Sequence, residues 1–280
     1  MHLLVDGKNL LYRGIYASLN TNAKDPFVTI SRMMYSYYHK FVVPWRDKHG
    51  GEVHVFWDDA KENLWRREIH PEYKESSCRK KSSEIGEKLI RYQALCEDMW
   101  KNMCIKQYKM DRMEADDLIY TFCHIFSGRK TVVSNDGDML QLSYRFDDVE
   151  IYNPSKKIIC KRPIIDTVAF KCLDGDTSDN ITGYYGIGSK KAAEHVKDPV
   201  MMGELLKEKG PEIYIKNRKL IDLSLCPHLP ENIVYMTEAF NQTMKFDKKV
   251  LIELIYNKHK IKGLMVEYKT IISPFKLIGE

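Results

Sequence analysis

Apolar residues along the chain fall into two alternating spacings. Short unbroken runs (Leu3-Leu4-Val5, Val53-His54-Val55-Phe56-Trp57 and Thr131-Val132-Val133) have the length and β-branched content of buried strands. Between them, Asn9 to Tyr16 and Thr29 to Val43 read as helices, and Ile85 to Met103 as an amphipathic one. Leu118, Ile119, Phe122, Ile125 and Phe126 recur at helical spacing in a helix that opens near Asp111. Strands separated by helices predict an α/β fold with a mostly parallel central sheet and helices on both faces. Val149–Asn153 and Lys157–Lys161 read as a hairpin, and 201–280 as helical with mixed charge.

Each predicted strand delivers carboxylates at its end. Asp6 precedes Gly7, Asp58 and Asp59 follow Trp57, and Asp136 and Asp138 follow Val133. The helix after Asp111 opens with Glu114, Asp116 and Asp117. Taken singly, each group has a structural reading. Asp111 with Glu114 fits a capping box, acidic residues suit a helix start, and Asn-Asp-Gly-Asp makes a turn. The same device at three strand ends instead predicts an acidic cluster at the carboxyl edge of the sheet, where open α/β folds build their sites. Like charges gathered there need cations or protons to neutralise them. No His or Cys accompanies them at ligand spacing, so the cluster selects hard cations, Mg²⁺ or Mn²⁺. Two such ions about 4 Å apart suit in-line attack on a phosphodiester. Asp176 and Asp179 stand near the end of a further helix, where they either reach a second cation or form a polar terminating loop.

Charge matters here through its distribution. Lys plus Arg outnumber Asp plus Glu by 44 to 39, a net +5. Lys61, Arg66, Arg67, Lys74, Arg79, Lys80 and Lys81 cluster between 60 and 81 with Trp65 and Tyr73 interleaved, a combination that suits single-stranded nucleic acid. A solvated surface segment is the plain alternative. Gly186, Gly188, Ser189, Lys190 and Lys191 form a tight turn into a helix whose first N–H groups, with two lysines, suit duplex phosphates. Seven scattered cysteines without a CxxC argue for reduced thiols in a cytoplasm. No apolar segment is long enough for a membrane, and no heptad or apolar stripe argues against a monomer.

The ordered motifs VDG, DDAK…WRRE, HPEYK, MEADD, SNDGD, GDTSDN and GIGSKKA together resemble the flap endonuclease and 5′→3′ exonuclease family. The resemblance extends to the bacteriophage enzymes and phage RNase H, and to the 5′ nuclease domain of DNA polymerase I. It covers residues 1 to about 200. It implies a PIN-like catalytic domain over 1–170 with a helical arch at about 60–110, then a helix-hairpin-helix (H3TH-type) region and C-terminal helices over 171–280. It assigns a first metal site to Asp6, Asp58, Glu114 and Asp116 with Asp136 bridging, and a second to Asp136, Asp138, Asp176 and Asp179. Asp117 falls at or just outside the metal shell, and Asp58 and Asp59 compete for one role. Tyr73 and Lys74 match the arch's Tyr-Lys pair, whose Lys would contact the scissile phosphate. Arg79 lies two places beyond the usual arginine. The GIGSKKA element often holds K⁺ against duplex phosphates.

The implied activity is a Mg²⁺-dependent structure-specific 5′ nuclease, both flap endonuclease and 5′→3′ exonuclease, acting on DNA or RNA·DNA hybrids in phage primer removal. Asp6, Lys74, Asp136 and Asp138 would carry the chemistry, with a polymerase or single-strand-binding protein as partner. A PIN-like ribonuclease and a non-catalytic branched-DNA-binding protein are the alternatives.

Overall fold

The structure is a computed structural model that describes residues 1–20, 25–45, 50–75 and 83–278. Six strands form the central sheet: β1 (His2–Asp6), β2 (Glu52–Trp57), β3 (Ile105–Lys109), β4 (Lys130–Val133), β5 (Val149–Asn153) and β6 (Ile158–Ile159). Their order is β3-β2-β1-β4-β5-β6; the first five run parallel, and β6 returns antiparallel to β5. The family-implied fold class, a mostly parallel sheet flanked by helices, is therefore the one observed.

Alternation along the strands assigns the two faces. Leu3, Val5, Val53, Val55 and Trp57 point to one, covered by helices Gly7–Asn20, Pro26–Tyr37 and Ser83–Trp100. Leu4, Phe56, Val132 and Ile151 point to the other, under helix Ala115–Ile125. The chain beyond 171 packs on both faces: Leu251 and Phe275 join the first core and Met236 joins the second.

The first two helices run longer than expected at their starts. Asp25 caps Pro26–Tyr37 by accepting from Phe27 N at 2.9 Å, and the helix widens into a π-turn at Tyr38–Val42. Helix Ala115–Ile125 starts later than the Asp111 reading. Its N-cap is Glu114, and a reciprocal box forms with Asp117, whose Oδ2 accepts from Glu114 N at 3.1 Å. β3 carried no strand signal in the sequence, because only Ile105 and Tyr108 of its five residues are fully buried. Gly7 follows β1 where a Cβ would lie 2.4 Å from Trp57 Cε3 and 2.9 Å from Phe56 O. Only glycine lets the chain leave β1 for its helix this close to β2.

Candidate active site

The strand order places the acidic groups side by side. β1 lies between β2 and β4, and the chain runs outward in opposite directions from this point, which opens a crevice at the carboxyl edge. Asp6, Asp58, Glu114, Asp116, Asp136 and Asp179 line one cleft of about 620 Å³, together with Lys8, Lys61 and Lys74.

Local hydrogen bonds fix the carboxylates. Asp6 accepts from Asn9 N and from Ser134 Oγ, each at 2.9 Å. Ser134 Oγ in turn accepts from Asp136 N at 3.1 Å, tying the end of β4 to the end of β1. Asp58 accepts from Ala115 N at 2.8 Å and from Lys8 Nζ at 2.6 Å. Asp59 turns to the loop before Glu114 and accepts from Arg112 N at 2.8 Å. Of the two competing residues, Asp58 is thus the one in the acidic cleft.

A second group adjoins the first. Carboxylate oxygens of Asp138, Asp176 and Asp179 lie within 4.8 Å of one another, a spacing that suits one cation. Helix Thr167–Asp174 ends at Gly175 with φ 85°, and a short hairpin, Gly175–Asp176 against Ile181–Thr182, presents Asp176 and Asp179. Lys171 Nζ bonds Asp176 Oδ2 at 2.6 Å and also Asp138 Oδ1.

Burial and crowding set the protonation. Burial, then the neighbouring Asp58, pushes Asp6 up to about 7. Burial likewise pushes Asp138 up to about 7, against the pull of Lys171 and with the push of Asp136. Asp116 is raised by burial and by Asp136 and Asp6. Burial also raises Asp179. Glu114 goes the other way: burial opposes its ionisation, but Lys74 and Arg66 outweigh it and hold the carboxyl at about 2. A metal-free cleft therefore mixes ionised carboxylates, protonated ones and lysine ammonium groups, which is how excess negative charge is tolerated without an ion.

Several sequence expectations need correction. Arg66 is not available to DNA. It is 2% exposed, with Nη1 on Glu114 Oε2 and Asp117 Oδ2 and Nη2 on Asp117 Oδ1, all at 2.8 Å, and Nε on Leu220 O at 2.7 Å. Asp117 is correspondingly placed as an anchor. It receives both guanidinium nitrogens, Trp65 Nε1 at 3.1 Å and Glu114 N, and is 1% exposed. Trp65 and Tyr73 offer no open ring face either, since both are buried. Tyr73 OH reaches Glu114 Oε2 at 3.0 Å and Asp179 Oδ2 at 2.9 Å instead. Arg66, Trp65 and Tyr73 of this stretch build a buried polar floor beneath the cleft.

The remaining expected residues fall as follows. Lys74 lines the cleft, its Nζ on Glu114 Oε1 and 3.9 Å from Asp179 Oδ1. Its backbone is left-handed, φ 58°, and Asn180 opposite has φ 61°. The two turns lock through Lys74 N to Asp179 O at 3.0 Å and Asn180 Nδ2 to Glu72 O at 3.0 Å. Non-glycine residues held in that region carry strain that the surroundings must hold in place. Arg67 is pinned to Tyr73 O and Glu75. Arg79 and Lys80 lie outside the described residues. Gly188 is the N-cap of helix Ser189–Lys197, which no side chain among the described residues caps, and Gly186 has φ 78°. Ser189, Lys190 and Lys191 are exposed.

Lys8 and Lys171 escaped the sequence reading. Lys8 sits two residues past Asp6, and Lys171 five before Asp176. Proximity to each acid was the available signal, but only the fold turns these side chains onto Asp58 and onto Asp138 with Asp176.

A family model for the 5′-3′ exonuclease, N-terminal resolvase-like domain, matches residues 1–169. A 5′-3′ exonuclease of Halalkalibacterium halodurans is 28% identical over 211 residues, covering 68% of this chain and 67% of that protein. DNA polymerase I of Bacillus subtilis is 27% identical over 288 residues, covering 90% of this chain but 30% of the polymerase. Among solved structures, the T5 D15 protein co-crystallised with metal ions superposes with a TM-score of 0.61 at 18% identity, covering 100% of this chain and 99% of that one. A T5 D15 flap endonuclease complex with DNA and metal ions gives 0.58 at 19% identity over 89% of this chain and 97% of that one. These likenesses establish a common fold. With 169 of its 280 residues matched by the family model, the chain belongs to the 5′→3′ exonuclease family through its N-terminal resolvase-like domain.

Proposed function

We propose that the cleft holds two divalent cations, Mg²⁺ with Mn²⁺ able to substitute, and hydrolyses DNA phosphodiesters near the junction of a 5′ single strand and a duplex. The observation that carries this reading is the meeting of strand-end carboxylates from β1, β2 and β4 with the Asp138–Asp176–Asp179 group. The donor set fits the ions: oxygen-only ligands suit hard cations. Burial, with the neighbouring Asp58 and Asp136, raises Asp6 and Asp138 to about 7, as expected of acids gathered where a cation would bind.

Asp6, Asp58, Glu114 and Asp116 would hold the first ion, with Asp136 bridging to the second, held by Asp138, Asp176 and Asp179. Bound there, the ions supply an activated water and stabilise charge developing on the phosphate. The chain's own residues do the rest. Asn9 N and Ser134 Oγ orient Asp6, and Ala115 N orients Asp58. Lys74 can leave Glu114 Oε1 for the scissile phosphate, because Arg66 and Tyr73 continue to hold Oε2 and keep the carboxylate in place while Oε1 is freed toward the first ion. Lys171 would yield Asp138 and Asp176 to the incoming ion.

Residues 1–170 would form the catalytic part, with an arch over about 60–110 for the free 5′ end. The segment from 171 would grip duplex through Gly186, Gly188, Ser189, Lys190 and Lys191, with K⁺ at the uncapped helix start. RNA·DNA hybrids as substrates, primer removal in phage replication, and a polymerase or single-strand-binding partner belong to the same reading. Incubation of a labelled 5′-flap duplex with Mg²⁺ and with EDTA tests it: metal-dependent products near the junction are expected, and intact flap with either Mg²⁺ or Mn²⁺ contradicts it.

A further inference from the structure

A second constellation of metal-binding side chains lies at the opposite edge of the sheet. His2 and Glu52 open β1 and β2 and are register partners. His54 stands two residues after Glu52, on the same face. Lys106 on β3 pairs in register with His54. Strand pairing alone thus sets His2, Glu52 and His54 together, far from the carboxyl edge where Asp6 ends β1.

The three donor atoms are mutually close. His2 Nδ1 is 3.2 Å from His54 Nε2 and 3.4 Å from Glu52 Oε2, and His54 Nε2 is 3.6 Å from the same oxygen. A tetrahedral ion with bonds of about 2.0–2.1 Å requires ligand atoms roughly 3.3–3.4 Å apart. The triangle therefore has the edge lengths of one face of such a site. The surroundings hold each ligand from behind. His54 Nδ1 is 3.0 Å from Tyr108 OH, so a proton on Nδ1 leaves the Nε2 lone pair facing the triangle. Lys106 Nζ bonds Glu52 Oε1 at 2.8 Å and Phe240 O at 2.6 Å, leaving Oε2 to the two imidazoles. Phe122 and Phe240 wall the site, with ring centroids 4.6–6.0 Å from the two imidazoles.

We infer that His2, Glu52 and His54 form a binding site for a borderline transition-metal ion, Zn²⁺ being the representative, that staples β1 to β2 at the edge remote from the nuclease cleft. Imidazole with one carboxylate selects Zn²⁺, Co²⁺ or Ni²⁺ over Mg²⁺, so the two edges of the sheet would take different metals. Glu52 is the most open of the three ligands, His2 is less so and His54 is fully buried, which leaves the fourth position to water from the side of Glu52 and His2. The Lys106 charge limits affinity, and its engagement with Glu52 Oε1 and the Phe240 carbonyl directs it away from the triangle.

The test uses the full chain with millimolar Mg²⁺ present, in the Asp136→Asn background to weaken the cleft. Zn²⁺ titrated calorimetrically should bind with one equivalent and raise the melting temperature. Co²⁺ should give visible d–d bands of low coordination number. His2→Gln and Glu52→Gln should each abolish both signals, and Tyr108→Phe should weaken Zn²⁺ about tenfold. His2 is partly exposed, so His2→Gln is expected to fold, and circular dichroism checks this. Signals that persist in His2→Gln place the ion elsewhere, and no Zn²⁺ equivalent in Asp136→Asn reduces the triangle to a hydrogen-bonded pair of histidines; either result overturns the inference without touching the nuclease reading.

Discussion

Arg66 lays its guanidinium fork across Asp117, Nη1 to Oδ2 and Nη2 to Oδ1, both at 2.8 Å, with neither side chain open to solvent. This pair joins the segment after β2 to the start of helix Ala115–Ile125, directly beneath Glu114. Removing one partner leaves a buried charge without compensation. Arg66→Ala should therefore cost about 3–5 kcal/mol of stability. Arg66→Lys should recover only part of it, because an ammonium cannot span both oxygens. Denaturant unfolding of the three proteins measures this, and near wild-type stability in Arg66→Ala would show that the pair contributes little.

Much of the frame was readable from the chain because local and global signals agreed. Leu3-Leu4-Val5, Val53–Trp57 and Thr131–Val133 are short apolar runs that end in acids, and all three became neighbouring parallel strands. The side chains that fill the floor of the cleft were not readable. Arg66 and Tyr73 have the composition of a nucleic-acid surface, and only tertiary packing against Asp117, Glu114 and Asp179 buries them. Lys171 likewise meets Asp138 across 33 residues, a distance that no local pattern encodes.

Lys74 holds a left-handed backbone at the rim of the cleft with its ammonium on Glu114. If it moves to the scissile phosphate, Lys74→Ala should lower the single-turnover cleavage rate about 10²-fold or more. Flap affinity should change little. An effect confined to affinity would remove Lys74 from the chemical step.

Asp6 and Asp138 each sit at about 7 in the folded protein against an ordinary 3.8. Folding then favours their protonated forms. The stability they contribute is fully present below about pH 4 and is lost as pH rises through about 7. In EDTA the melting temperature should fall between about pH 4 and about pH 7 and level off above that, and Asp138→Asn should flatten part of that slope. Millimolar Mg²⁺ should restore stability at the higher pH. A metal-free melting temperature independent of pH in this range would mean the carboxylates are not crowded as described.

Lys190 and Lys191 are exposed at the uncapped start of helix Ser189–Lys197. Each Lys→Ala change should weaken binding of duplexes of any sequence and reduce the slope of log affinity against log salt by about 1. Binding titrations over a salt series measure it. An unchanged slope would place duplex phosphates elsewhere on the surface.

In the proposed reaction Asp136 joins the two carboxylate groups into one metal-dependent site. The direct measurement compares wild type and Asp136→Asn on the same labelled 5′-flap duplex, recording cleavage with Mg²⁺ and binding with Ca²⁺ or EDTA. The account predicts junction-proximal cleavage by the wild type, none by Asp136→Asn, and similar flap binding by both. Full cleavage by Asp136→Asn would contradict it.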